Sequence, residues 1–110
     1  MKQLVYISGP YTNGDVDTNV NNAIKVADEL VDAGYMVFIP HLNHFWHMVS
    51  PKPYEFWIEL DLYILPICSA LLRLPGKSDG ADNEVRMAEM YGIPVFHSTE
   101  TLIKLLPKFG

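Results

Sequence analysis

A single cysteine, Cys68, stands in a chain of 110 residues. No internal disulfide can form, and a reducing compartment is expected. Cys68 lies in the apolar segment Ile64–Ala70 with no cationic neighbour to lower its pKa, which reads as a packing thiol rather than a reactive one. Basic residues are also few: eight Lys and Arg stand against thirteen Asp and Glu, a net charge of −5, with no basic run. A duplex-binding surface needs a basic stripe to neutralise phosphates, so polymeric nucleic acid is set aside as a partner and a small ligand fits better. Long apolar runs are missing too. The longest, Tyr63 to Leu74, is broken by Pro66 and Arg73 and is too short to span a bilayer. Only four apolar residues follow Met1-Lys2-Gln3, too few for a signal-peptide core. The expectation is a soluble, cytoplasmic protein without a membrane partner.

Two phosphate loops are absent as well. Gly9 and Gly14 have P-loop spacing, but Asp15-Val16 stand where Lys and Ser or Thr are required. No Rossmann glycine fingerprint follows the first strand-like run. Neither a P-loop NTPase nor an NAD-dependent enzyme is supported, and no cofactor is expected.

What is present is a globular composition, 49% apolar, long enough for one core, so residues 1–110 read as a single domain. Strand and helix signals alternate. Leu4–Ser8 is a β-rich run closed by Gly9-Pro10. Asp17 or Thr18 caps a helix carrying Val20, Ala23, Ile24, Ala27, Leu30 and Val31 at three-four spacing, ended by Gly34. Met36–Pro40 is a second strand, and His41–Lys52 reads as a loop. Pro53 suits the first position of a helix from Tyr54 to about Leu65. Ala70–Leu74 is a third strand, followed by the acidic loop Gly76–Glu84 and a helix from Val85 to Tyr91. Ile93–Phe96 is a fourth strand, and Thr99 caps a last helix. Strands separated by helices imply right-handed βαβ units, hence an α/β, doubly wound, mostly parallel sheet.

Chemistry concentrates at a few positions. Glu84 opens a helix after a strand, where open α/β sheets bind ligands, and the helix dipole would hold it ionised as a nucleophile. Asp61 falls on an apolar helical stripe with Tyr54, Trp57, Ile58 and Leu65. An inward carboxylate is costly unless paired, for instance with Arg73, or used. Two such carboxylates suit glycosidic chemistry, one attacking the anomeric carbon and one handling the leaving group's proton. Tyr6, a packing residue by default, could orient a carboxylate from the first strand. His41, His44 and His47 recur every third residue, but no cysteine or carboxylate completes a zinc spacing, so no metal is expected. Phe45 and Trp46 could stack on a planar base, with Asn43 or His44 at its edge, or simply pack a lid or a subunit interface.

The segments Val5-Tyr6-Ile7-Ser8-Gly9-Pro10, Asp61, and Ser78-x-Gly80-x-x-x-Glu84 together resemble the nucleoside 2-deoxyribosyltransferase superfamily, which includes 2′-deoxynucleoside 5′-phosphate N-hydrolases. The resemblance, running from about Val5 to Phe96, implies a flavodoxin-like fold and a homodimer or larger homo-oligomer with sites completed across an interface. It implies Glu84 as nucleophile at C1′, Tyr6 as its bonding partner and Asp61 near the leaving base. It places Ser8, Gly9, Pro10, Asn43, His44, Phe45, Trp46, Ser78, Asp79 and Gly80 at the substrate, a nucleoside or nucleotide. Transfer to a second base is the expected reaction, with nucleotide hydrolysis and a non-catalytic binding module as alternatives. Departures gather before Glu84. Ser78 stands where the transferases have an aspartate. Asp79 and Asp82 add negative charge that disfavours a phosphate.

Overall fold

Alternation along the first strand decides the layers. In β1 (Leu4–Ser8), Val5 and Ile7 point to one side of the sheet, Tyr6 and Ser8 to the other, and all four are buried. A strand buried on both faces belongs in the middle of a parallel sheet, and that is its place in the computed structural model, which describes all 110 residues. With β2 (Met36–Phe38), β3 (Ala70–Arg73) and β4 (Val95–Phe96) it forms a sheet of order β2-β1-β3-β4, every pair parallel. That order is flavodoxin-like, with its topological switch point between β1 and β3.

Five helices cover the sheet: α1 (Val16–Asp32), α2 (Asn43–Val49), α3 (Tyr54–Ile64), α4 (Asp79–Met90) and α5 (Thr99–Leu105). Val5, Ile7, Leu72 and Leu74 pack against Ala23, Ala27 and Leu30 of α1 and Leu102 of α5. On the opposite face Tyr6 and Leu71 meet Leu65, Cys68, Ile93 and Ala88 of α4. Cys68 is buried there, and burial pushes its thiol up to about 11, as suits a packing residue. No helix is long and apolar enough to cross a membrane.

Several local boundaries differ from the expectation. The α1 cap is Asp15, whose carboxylate accepts from the Thr18 backbone N–H; Asp17 lies inside the first turn. Ser98 rather than Thr99 caps α5. Pro53 precedes α3 as its cap residue instead of occupying its first turn. The segment expected as a loop from His41 contains a 3₁₀ turn, Pro40–Leu42, and the helix α2. Finally α4 begins at Asp79, not at Val85, because the Ser78 hydroxyl accepts from the Ala81 N–H and nucleates the helix in spite of Gly80 and two aspartates.

Candidate active site

The C-terminal ends of β1 and β3 open into a cavity of about 730 Å³. Glu84 lies at its floor. Starting the helix at Asp79 puts Glu84 in the second turn of α4 rather than the first, over the sheet face that carries Tyr6 and Ser8. Those two side chains, two residues apart on one strand, both reach it: the Tyr6 hydroxyl donates to Oε2, and the Ser8 hydroxyl donates to Oε1 at 2.8 Å. The helix dipole is therefore a minor influence on Glu84. Burial pushes its carboxyl up from the usual range, opposed by the bonds from Tyr6 and Ser8 and by the positive charge of Arg73. Burial, with the charges of Glu84 and Asp61 added, pushes the Tyr6 phenol far up, so it remains a donor.

Asp61 projects from α3 into the same cavity. Its Oδ1 is buried without a hydrogen-bond partner. Burial first, then the charge of Glu84, raises its carboxyl to about 7. The bland alternative, a pair with Arg73, is not formed: Arg73 bonds Asp82 at 3.0 Å and the Leu74 and Gly76 carbonyls. Asp61 is thus a carboxyl held partly protonated at neutral pH, in one cavity with a second carboxyl. Both carboxyls are raised by burial, and the bonds from Tyr6 and Ser8 and the charge of Arg73 favour the ionised form of Glu84, which suits it to the nucleophile role and Asp61 to the acid role.

The remaining expected residues divide. Gly9, Asn43, His44, Ser78, Asp79 and Gly80 line the cavity. Gly9 also has a packing reason to be glycine, since a Cβ there would sit 2.8 Å from the Leu74 Cβ. Pro10 is a framework residue whose carbonyl accepts from His41 Nε2–H at 3.1 Å. Its ring lies against Gly76, where a Cβ would be 2.9 Å from the proline Cγ. Phe45 and Trp46 do not line the cavity, and of the two expectations for them packing is the one seen here. Trp46 packs edge-on to Phe56 and Trp57, and Phe45 is more than half exposed. Phe45 instead lies edge-on to the His44 ring at 5.5 Å.

Other cavity residues were not assigned to a ligand from the sequence: Tyr11, Asn13, His47, Lys52, Trp57 and Lys77. Tyr11 Oη and His44 Nδ1 are 2.6 Å apart, tying the β1–α1 loop to α2. Asn13 donates to the Lys77 carbonyl at 2.8 Å, tying the same loop to the one before α4. His41 is buried and pushed down by that burial, hence neutral. The three histidines engage separate partners, and no group of three metal-ligating side chains comes together.

A flavodoxin-like α/β domain with two half-buried carboxyls in one cavity at its switch point is therefore the class that fold and geometry define. The chain belongs to the family described as domain of unknown function DUF7768, whose profile matches residues 3–98. No curated protein matches it. Among solved structures it is similar to a 2-deoxyribosyltransferase from the psychrotolerant bacterium Bacillus psychrosaccharolyticus, with a TM-score of 0.61. The two share 24% identity, with 84% of this chain and 69% of that chain covered. At that identity the likeness establishes the fold.

Proposed function

We propose that this protein cleaves the N-glycosidic bond of a 2′-deoxynucleoside through a glycosyl–Glu84 intermediate and transfers the sugar to a second base. The observation that carries the reading is the pair Glu84 and Asp61: one carboxylate oriented by Tyr6 and Ser8, the other raised to about 7 with its buried Oδ1 lacking a hydrogen bond, in one cavity. The similar fold of a 2-deoxyribosyltransferase supports it.

The chemistry balances with these groups alone. A Glu84 oxygen forms a bond to C1′ as the C1′–N bond breaks, its electron pair going to the base nitrogen, which takes the Asp61 proton. In the second half a ring nitrogen of the incoming base attacks C1′, Glu84 leaves as a carboxylate, and the displaced N–H proton returns to Asp61. Gly80, with nothing within 4 Å of a notional Cβ, leaves room above Glu84 for the sugar. Exposed apolar side chains on α2 and α3, among them Met48, Val49, Tyr54 and Tyr63, are suited to a homo-oligomeric contact.

Lys77 and the free donor of Ser78 at the cavity edge favour a second reading, hydrolysis of a deoxynucleoside 5′-monophosphate. Incubating a deoxynucleoside or its 5′-monophosphate with and without a second base separates the outcomes. A new nucleoside formed only with the acceptor is the expected result. Free base and sugar in both tubes means hydrolysis. Binding without turnover means a non-catalytic module, and full activity in Glu84→Ala would exclude the proposed nucleophile.

A further inference from the structure

His47 differs from the other two cavity histidines in what holds it. Its Nδ1 accepts from two N–H groups, Trp57 Nε1 at 3.1 Å and the Lys52 backbone at 3.1 Å. Neither donor can accept in return, so Nδ1 carries the lone pair and the ring proton sits on Nε2. Trp57 cannot readily turn away, because Phe56 and Trp46 pack edge-on against it at 4.9 and 5.1 Å. His44, by contrast, meets a hydroxyl, which serves either tautomer. His41 points its proton at a backbone carbonyl and keeps its other nitrogen buried. Of the three, only His47 presents a donor of fixed sense to the cavity it lines.

We infer that His47 is a specificity-determining residue that donates through Nε2–H to an exocyclic carbonyl oxygen of the leaving base. It thereby selects oxo bases over the corresponding amino bases, while resting on the glycosyl-transfer reading for the identity of the ligand. An amino group in the same place would set N–H against N–H, and a histidine locked by Trp57 and Lys52 cannot change tautomer to relieve it. A site built around a fixed hydrogen bond discriminates against the ligand that leaves its donor unpaired.

The test compares kcat/KM for 2′-deoxyinosine against 2′-deoxyadenosine and for 2′-deoxyuridine against 2′-deoxycytidine, pairs that differ at one oxo or amino position. The ratio within a pair is independent of the folded fraction of a sample. Wild type is expected to favour the oxo member about 10- to 100-fold. His47→Gln, whose amide can turn to offer oxygen or nitrogen, is expected to bring both ratios towards one. Trp57→Phe, which removes one locking donor, should lower them severalfold. ¹⁵N spectra of the His47 ring should show Nε2 protonated and Nδ1 bare. An amino preference in wild type, unchanged ratios in His47→Gln, or a proton on Nδ1 would each overturn the inference. Calorimetry with hypoxanthine and adenine keeps the two proposals apart. Selective binding of hypoxanthine without turnover of any nucleoside would sink the reaction and keep the His47 assignment, equal turnover of both partners in a pair would do the reverse, and neither binding nor turnover would overturn both.

Discussion

Asp61→Asn should make the protein more stable above neutral pH while disabling the proposed acid. The folded carboxyl titrates at about 7 against an ordinary 3.8, because burial penalises its charge and Glu84 adds repulsion. Its folded-state pKa is raised, so the folded chain binds the proton more tightly than the unfolded chain does. Stability is then fullest below the unfolded value and declines as pH rises from about 4 to about 7. Each pH unit in that window costs about 1.4 kcal/mol, so the full shift amounts to about 4 kcal/mol, and about 3 kcal/mol of it falls between pH 5 and pH 8. A neutral amide of the same shape does not titrate and escapes that loss. Urea unfolding of wild type and Asp61→Asn at those two pH values measures it directly. The variant's advantage should grow by about 3 kcal/mol on going from pH 5 to pH 8, visible in a melt as roughly 10 °C or more. Parallel pH dependence in the two proteins would refute the reasoning, since it would mean that Asp61 is as well solvated folded as unfolded.

The other expectations concern the neighbours of Glu84. In the proposed reaction Asp61 must carry a proton, so the rate should fall as pH rises through about 7, and Asp61→Asn should abolish that limb in a pH–rate profile. Tyr6→Phe removes the donor to Glu84 Oε2 and should cost about 10- to 100-fold in kcat with the fold retained; an unaltered kcat would exclude an orienting role. Arg73→Met removes a charge that lowers the Glu84 carboxyl, so the acid limb of the profile should move to higher pH, and no movement would mean that its field does not reach the site. Gly9→Ala forces a methyl onto the Leu74 Cβ and should destabilise by about 1–3 kcal/mol in denaturant titration, whereas a neutral result would show that β1 and β3 can part there.

The fold was legible because its signals are local and redundant. Val5, Ile7, Leu71 and Leu72 are buried on both faces of the sheet, and Val20, Ala23, Ala27 and Leu30 carry a helical stripe that buries as spaced. Boundaries failed where composition opposed the structure. The residues Asp79-Gly80-Ala81-Asp82-Asn83 have poor helix propensity, yet the Ser78 cap and the burial of Ala81 and Ala88 make them helix. In α2, histidines and aromatics hide the period in seven residues, and none of them is buried, so no apolar stripe existed to be read. Within the site, Asp61 stood out as a carboxylate on an apolar stripe and Glu84 as an acidic residue between a strand and a helix, while Tyr6 and Ser8 gained their roles from the resemblance. Tyr11, Asn13 and Lys77 did not stand out, because their places depend on hydrogen bonds between segments distant in the chain.

The departures before Glu84 take on different weights once their partners are known. Asp82 is turned away from the cavity and paired with Arg73, which also binds the Leu74 and Gly76 carbonyls. It belongs to the clamp on the β3–α4 loop, and its charge does not argue against a phosphate. Ser78 accepts the helix-cap bond from Ala81 and keeps its hydroxyl proton to donate. The charged residues of this segment that line the cavity are therefore Asp79 and Lys77, one of each sign, and Lys52 lines it as well. A 5′-hydroxyl can bond to either sign, whereas a 5′-phosphate would need the lysines to outweigh Asp79. Under the proposed glycosyl-transfer reading, the choice between nucleoside and nucleotide is expected to turn on Asp79 against Lys77. Asp79→Asn should shift preference towards the 5′-monophosphate and Lys77→Met towards the nucleoside, and equal responses to both substrates in both variants would place the 5′ group elsewhere.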